Sequence, residues 1–220
     1  EVPQFSPYFQ PIYNREYVTE DNIRTVIRNL LHCVQFLHEN GVIHGLLRPE
    51  FIFIHNEDLS VKISEYGMWK VVGPNITSNA PCCRMYLAPE ILQHKGFGKP
   101  IDMWSIGVIS YLLLSGSPAF YGTHEDIITE GIITADFDYP NELGWDDVSD
   151  QAIDFIDSLL ITNTKQRMTV QQALAHPFMT GSASHTVLSE VPSNIEGVMN
   201  LYQQNQSNFE TKSPITSPRR

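Results

Sequence analysis

The run MWSIGVISYLLL, Met103 to Leu114, carries no charged residue and turns apolar side chains to nearly every side of a helix. Such a helix has no face to give to water and must be enclosed by other elements. A membrane could enclose it, but a bilayer core takes about 20 residues of helix and this run is shorter. The run therefore predicts a helix buried all round. With 220 residues, 42% of them hydrophobic and 10% aromatic, the chain can supply the cover from its own core. No charged-then-apolar segment opens the sequence. The expectation is a soluble, intracellular, cytoplasmic protein with one large domain, or a smaller one and a tail. It begins with Glu1 rather than Met, as a piece of a longer protein would.

Around this run the pattern predicts further elements. Residues 1–18 are expected to be irregular, because Pro3, Pro7 and Pro11 interrupt any helix. From Thr19, Ile23, Val26, Ile27, Leu30, Leu31, Val34 and Leu37 recur at helical spacing after a first turn of acids, and Glu39-Asn40-Gly41 supplies a stop. FIFI and SVKIS, joined by HNEDL, alternate and turn as a hairpin does. The stretch from Tyr66 to Leu87 reads as loop. Helices are expected at Glu125 to Ile133, Ser149 to Ile161 and Thr169 to Ala175, the last opened by a capping box of Thr169 and Gln172. After Phe178 the composition turns polar, and residues 181–220 read as a largely flexible tail. One short helix is expected within it, where Ser193 and Glu196 form a capping box ahead of Val198, Met199 and Tyr202.

Charge excludes some functions. The net charge is −11, and between Lys99 and Lys165 there are twelve acidic residues and no Lys or Arg. A phosphate backbone would be repelled, so no nucleic-acid partner is expected, nor a membrane. A basic protein segment is compatible with this surplus, as is a plain solvated face. Cys33, Cys82 and Cys83 lack the count and spacing of a disulfide framework or zinc site, and the eight scattered histidines imply no metal centre.

Three stretches carry a resemblance: YLAPEIL (Tyr86 to Leu92), KPIDMWSIGVISYLLLSGSPAFYG (Lys99 to Gly122) and TKQRMTVQQALAHPF (Thr164 to Phe178). From about Thr19 to Phe178 the chain resembles the large, C-terminal lobe of eukaryotic protein kinases, most closely the calcium/calmodulin-dependent group. The resemblance implies a mainly α fold, α+β overall, with a helical lobe over 19–180 and a small β-hairpin. It makes 1–18 the junction with a small lobe. It implies that Glu90 and Arg167 form a buried ion pair, that Asp102, with Trp104 in the same helix, holds the backbone of the catalytic loop, and that His44 packs under Tyr66.

The resemblance breaks where the chemistry would be. Phosphoryl transfer needs a carboxylate to take the hydroxyl proton, ligands for magnesium and a cradle for phosphates. The family's His-Arg-Asp triplet falls on His44, Gly45 and Leu46, and a leucine accepts no proton. The metal-binding Asn falls on Phe51, whose ring offers magnesium no oxygen. The Asp-Phe-Gly motif reads Glu65, Tyr66, Gly67, which leaves Glu65 as a weak candidate ligand for metal or nucleotide. Cys83 stands where a substrate-positioning Thr would be, and with Gly45 in place of Arg a phosphorylated Thr77 or Ser78 would find no charge partner there. No glycine-rich phosphate loop or strand Lys appears in the sequence. Arg48 replaces the catalytic-loop Lys as a remnant phosphate contact, and Glu50 matches a position that receives a substrate Arg in some kinases.

These departures imply a catalytically degenerate, pseudokinase-type domain acting as a scaffold or regulatory module. No catalytic residue and no bound ATP or magnesium is expected. The rival readings are an atypical active Ser/Thr kinase and a nucleotide-binding switch that uses Glu65. Expected partners are other proteins, basic segments or kinases among them. Calmodulin is not expected to bind through 181–220, because Ser193 to Gln204 contains Glu196 and no Lys or Arg. Ser213 and Ser217, each followed by Pro, are candidate phosphorylation sites.

Overall fold

The computed structural model describes residues 5–6, 9–13, 18–64, 84–181 and 186–188. The element built on the apolar run is helix α4, Pro100–Ser115, preceded by strand β1 (Phe5–Ser6), helices α1 (Gln10–Tyr13) and α2 (Glu20–Glu39), strands β2 (Ile52–His55) and β3 (Val61–Ile63), and helix α3 (Pro89–Leu92). After it come α5 (Glu125–Thr134), α6 (Asp150–Leu159), α7 (Val170–Leu174) and α8 (Pro177–Thr180).

Every residue of α4 from Ile101 to Ser115 is buried. α2 packs on one side of it and α6 on another. The three serines of α4 are buried with it, and each hydroxyl donates to a carbonyl one turn earlier: Ser105 to Ile101, Ser110 to Ile106 and Ser115 to Tyr111, at 3.1, 2.7 and 2.9 Å. No hydroxyl is left unsatisfied in the helix interior, which removes the cost of burying it. Gly107 lets α6 approach closely. A Cβ there would stand 2.8 Å from Leu160 Cδ2 and 3.0 Å from Leu159 Cβ. The helix ends at Gly116, whose φ of 74° suits a residue without a Cβ.

α2 starts and stops where its caps do. The Thr19 hydroxyl accepts from Asn22 N at 3.3 Å, and the chain leaves the helix through Asn40 and Gly41, the latter at φ 70°. Glu20, fully buried, joins this end to α6: its carboxylate accepts from Arg24 at 3.0 Å and from both the backbone N–H and the hydroxyl of Ser149 at 2.9 Å. Ser149 itself caps α6, and Thr169 and Gln172 form the capping box of α7.

One expectation is corrected. Residues 1–18 are not irregular throughout. Phe5 and Ser6 pair antiparallel with His55 and Ile54, extending the β2–β3 hairpin to the order β1-β2-β3, and α1 forms despite Pro11. Proline is tolerated there because the N–H groups of a first turn have no partner within the helix. Two residues of the stretch read as a largely flexible tail also contact the fold. Val187 pairs with Thr19, and Leu188, 2% exposed, donates its N–H to Val18 O at 2.8 Å. The short helix expected near Ser193 lies outside the described residues. No helix among the described residues is long and apolar enough to cross a membrane.

The close contact at Gly107 yields a test. Gly107→Ala must push Leu159 and Leu160 aside and should destabilise the fold by about 1–3 kcal/mol. Gly131→Ala, where the new Cβ meets nothing nearer than Asp136 O at 3.5 Å, should be neutral or raise stability by up to ~1 kcal/mol. Thermal unfolding of the two variants checks the opposite signs.

Candidate active-site region

The catalytic-loop stretch runs from the end of α2 to β2 without regular structure except a single 3-10 turn, Pro49–Phe51. What fixes it is Asp102, fully buried in the first turn of α4. Its Oδ2 accepts the His44 N–H at 2.9 Å, its Oδ1 accepts the Gly45 N–H at 2.8 Å, and His38 Nε2 donates to Oδ2 at 2.8 Å. Gly45 holds φ 81°, a conformation glycine reaches without strain. A buried carboxylate with three donors is satisfied, and the loop cannot leave without abandoning it.

His44 carries the constraint across to the sheet. Its ring is fully buried, Nε2 donates to Ser64 O at 3.0 Å, and Nδ1 accepts from Leu46 N at 3.3 Å, so the proton sits on Nε2. Burial pushes its pKa below the ordinary imidazole value, outweighing the opposing pull of Asp102. The loop is thus tied at one end to α4 and at the other to the residue before Glu65.

Within this held loop stand the positions at which the resemblance breaks. Leu46 is half-buried and has no oxygen to offer. Phe51 lies under the Arg48 guanidinium, 4.8 Å from ring centroid to Cζ, and 6.2 Å from the His44 ring. Arg48 also stands 3.7 Å from Glu50 Oε1. The cation that would meet a phosphate and the carboxylate that would meet a substrate Arg therefore face each other. Hard cations need oxygen ligands, which Leu46 and Phe51 do not supply, so these positions do not fit a magnesium-nucleotide. Among the described residues no cluster of His, Cys, Asp or Glu could hold a metal ion. Glu65, Tyr66, Gly67 and Cys83, together with Thr77, Ser78, Ser213 and Ser217, lie outside the described residues.

A second ionic site braces the region from below. Arg167 and Glu90 make two parallel hydrogen bonds of 2.7 and 3.0 Å, with 3% and 8% of the two residues exposed. Arg167 also donates to Ile161 O and Pro100 O, at 2.9 and 2.8 Å, and lies over the Trp104 ring at 5.0 Å. One guanidinium so joins α3, the start of α4 and the end of α6. Arg84, at the end of the stretch outside the described residues, reaches Thr129 Oγ1 and Glu125 on α5, each at 3.3 Å.

Sequence reasoning missed His38 as a partner of Asp102, the mutual engagement of Arg48, Glu50 and Phe51, and the role of Arg84. His38 has a weak signal only, as a His in the last turn of α2 that could equally have served the helix terminus.

The family model of the protein kinase domain matches residues 1–179. The chain belongs to the protein kinase domain family. It is 38% identical over 180 residues to a calcium/calmodulin-dependent protein kinase type 1 of Caenorhabditis briggsae, covering 81% of this chain and 50% of that protein. To the type 1B enzyme of Rattus norvegicus it is 34% identical over 192 residues, 86% of this chain and 56% of the other. To myosin light chain kinase A of Dictyostelium discoideum it is 33% identical over 186 residues, 83% and 63%. The chain thus spans about half the length of curated relatives it matches. Among solved structures, the twitchin kinase region of Caenorhabditis elegans superposes with a TM-score of 0.78 at 23% identity, over 92% of this chain and 37% of that one, a likeness of fold.

Two outcomes are expected of this domain. Arg167→Ala strands the Glu90 carboxylate and should cost ~3–5 kcal/mol, a fall in melting temperature on the order of ten degrees; a shift within a degree would contradict the bracing role. His44 should remain neutral, with its proton on Nε2, at pH 6.5, where a free imidazole is about half protonated. Because the folded ring takes its proton at lower pH than the unfolded one, its contribution to stability is full above the ordinary imidazole range and is lost as pH falls through it. Imidazole nitrogen NMR over pH 5–8 reads the protonation, and thermal unfolding over the same range reads the stability.

Proposed function

We propose that this chain is a catalytically degenerate kinase domain, a pseudokinase, that works as a scaffold or regulatory interaction module. The observation that carries the reading is the loop held by Asp102: the backbone brace is complete, while the side chains it presents are Leu46 and Phe51. Phosphoryl transfer depends on positioning and electrostatics, and its groups act together. A base orients a hydroxyl toward a phosphate that a metal must already hold. Removing the carboxylate at Leu46 and the metal ligand at Phe51 therefore removes the arrangement rather than one contribution to it. Arg48 over Phe51 and beside Glu50 supports the same conclusion, since it directs the remnant charges at each other.

A second reading has its own support. Identity of 38% to a named calcium/calmodulin-dependent kinase, together with the intact Glu90–Arg167 brace, favours an atypical active Ser/Thr kinase that uses Glu65 and a small lobe. A nucleotide-binding switch without transfer is its milder form. Protein partners, with calmodulin not engaged through 181–220, and an intracellular setting belong to the first reading and are proposals with it.

The deciding assay is radiolabelled ATP with magnesium or manganese and basic peptide substrates, using the protein with its natural upstream region. No label above background is expected, and Leu46→Asp alone should not restore transfer, because Phe51 still denies the metal an oxygen. Gly45→Arg, Leu46→Asp, Phe51→Asn and Glu65→Asp together, beside a competent small lobe, have a physical route to activity. Label incorporated by the unaltered protein and lost on Glu65→Ala would establish the active-kinase reading instead.

A further inference from the structure

The stretch of sequence that lacks any Lys or Arg folds around a groove. α5 and the segments on either side of it, residues 119–121 and 136–138, enclose about 700 Å³. Phe120, Ile128 and Phe137 line its apolar wall, and Tyr121 and Ile127 stand at its mouth, 64% and 52% exposed. The far wall is fixed from beneath, because the Tyr111 hydroxyl donates to Asp138 O at 2.8 Å and the Tyr111 and Phe137 rings meet edge to face at 6.2 Å. The groove is therefore formed before anything enters it.

Asp126, Glu130, Asp136 and Asp138 line the same opening, all exposed. Among the described residues no cation forms an ion pair with any of the four, whereas Glu125, beside them on α5, is held by Arg84 at 3.3 Å. Four carboxylates around an apolar recess raise the local negative potential and leave apolar surface in water. An occupant that relieves both must bring apolar bulk and positive charge together.

We infer that this groove docks a basic segment of a partner protein, in which Lys or Arg residues flank one or two large apolar side chains. The apolar anchor sits between Tyr121, Ile127 and Phe137, and the flanking cations meet the four carboxylates. A second copy of this chain suits the site poorly, since a symmetric contact would set the same acids against themselves in a protein of net charge −11. The groove's lining contains no residue of the catalytic loop, so docking here operates whether or not phosphate is transferred and goes beyond the scaffold reading.

The test is fluorescence anisotropy on the full chain, without nucleotide, using a labelled peptide with a Leu-Trp core between Lys-Arg steps and a twin in which Glu replaces each cation. The basic peptide should bind with a Kd on the order of 10 µM and the acidic twin at least about tenfold more weakly, with the difference shrinking at high salt. Asp126→Asn, Glu130→Gln, Asp136→Asn and Asp138→Asn combined should weaken binding about tenfold or more, and Ile127→Ser by a similar factor. Glu125→Gln should change it less than about twofold. All these side chains are exposed, and a melting curve on each variant verifies folding; Tyr121→Ser replaces Ile127→Ser if the latter lowers the melting temperature. Absence of binding at millimolar peptide, equal binding of the acidic twin, or indifference to both the charge and the apolar variants would overturn the proposal. Self-association in sedimentation that Ile127→Ser abolishes would assign the groove to a second copy. Tighter binding of a peptide of residues 208–220 than of the basic probe would assign it to the chain's own end.

Discussion

A helix that has no polar side must be surrounded, and the rest of this lobe is arranged by that requirement on α4. α2 and α6 pack against it, Gly107 removes the one side chain that would hold α6 away, and the serines inside it turn their hydroxyls back on its own backbone. Because a buried apolar helix cannot present charge to water, the ionic groups at its start are either paired or costly. Asp102 and the Arg167 that reaches Pro100 are both fully engaged, and each uses its hydrogen bonds to attach another segment to the helix. Apolar burial supplies the cohesion, and the buried charges supply the register between elements.

At Asp102 the same arrangement holds the loop after α2 by its backbone rather than by its side chains. Asp102 grips the main-chain N–H groups of His44 and Gly45, groups that every residue except proline possesses, so the brace does not depend on the side chain at Leu46. Within the loop Arg48 lies against both the Phe51 ring and the Glu50 carboxylate. A fold does not by itself imply a function, which rests on the side chains the fold presents. Under either reading α5 with its flanking segments presents four exposed carboxylates around a preformed recess.

Much of this was legible in the sequence because it depends on near neighbours in the chain. The length and burial of α4 follow from its composition. The start of α2 at Thr19, of α6 at Ser149 and of α7 at Thr169 follow from caps whose partners lie three residues away. That Leu46 and Phe51 carry no side-chain oxygen is a matter of residue type, and no folding can supply one. The surplus of acids between Lys99 and Lys165 is likewise fixed by the sequence alone.

The tertiary structure decided what joins residues far apart. That His38 shares Asp102 with the loop, that Glu20 receives Ser149, and that Phe5 and Ser6 lengthen the hairpin are contacts over 64, 129 and about 50 positions, and no local pattern records them. Val187 and Leu188 looked like tail because their neighbours are polar, yet Leu188 finds a buried site beside Val18. The acids of α5 and of residues 136–138 read as a solvated face until packing set them around one apolar recess. Sequence fixes which groups are present and the short-range geometry of the backbone; which groups meet depends on how the elements close around α4, and that is set by volume and shape rather than by spacing.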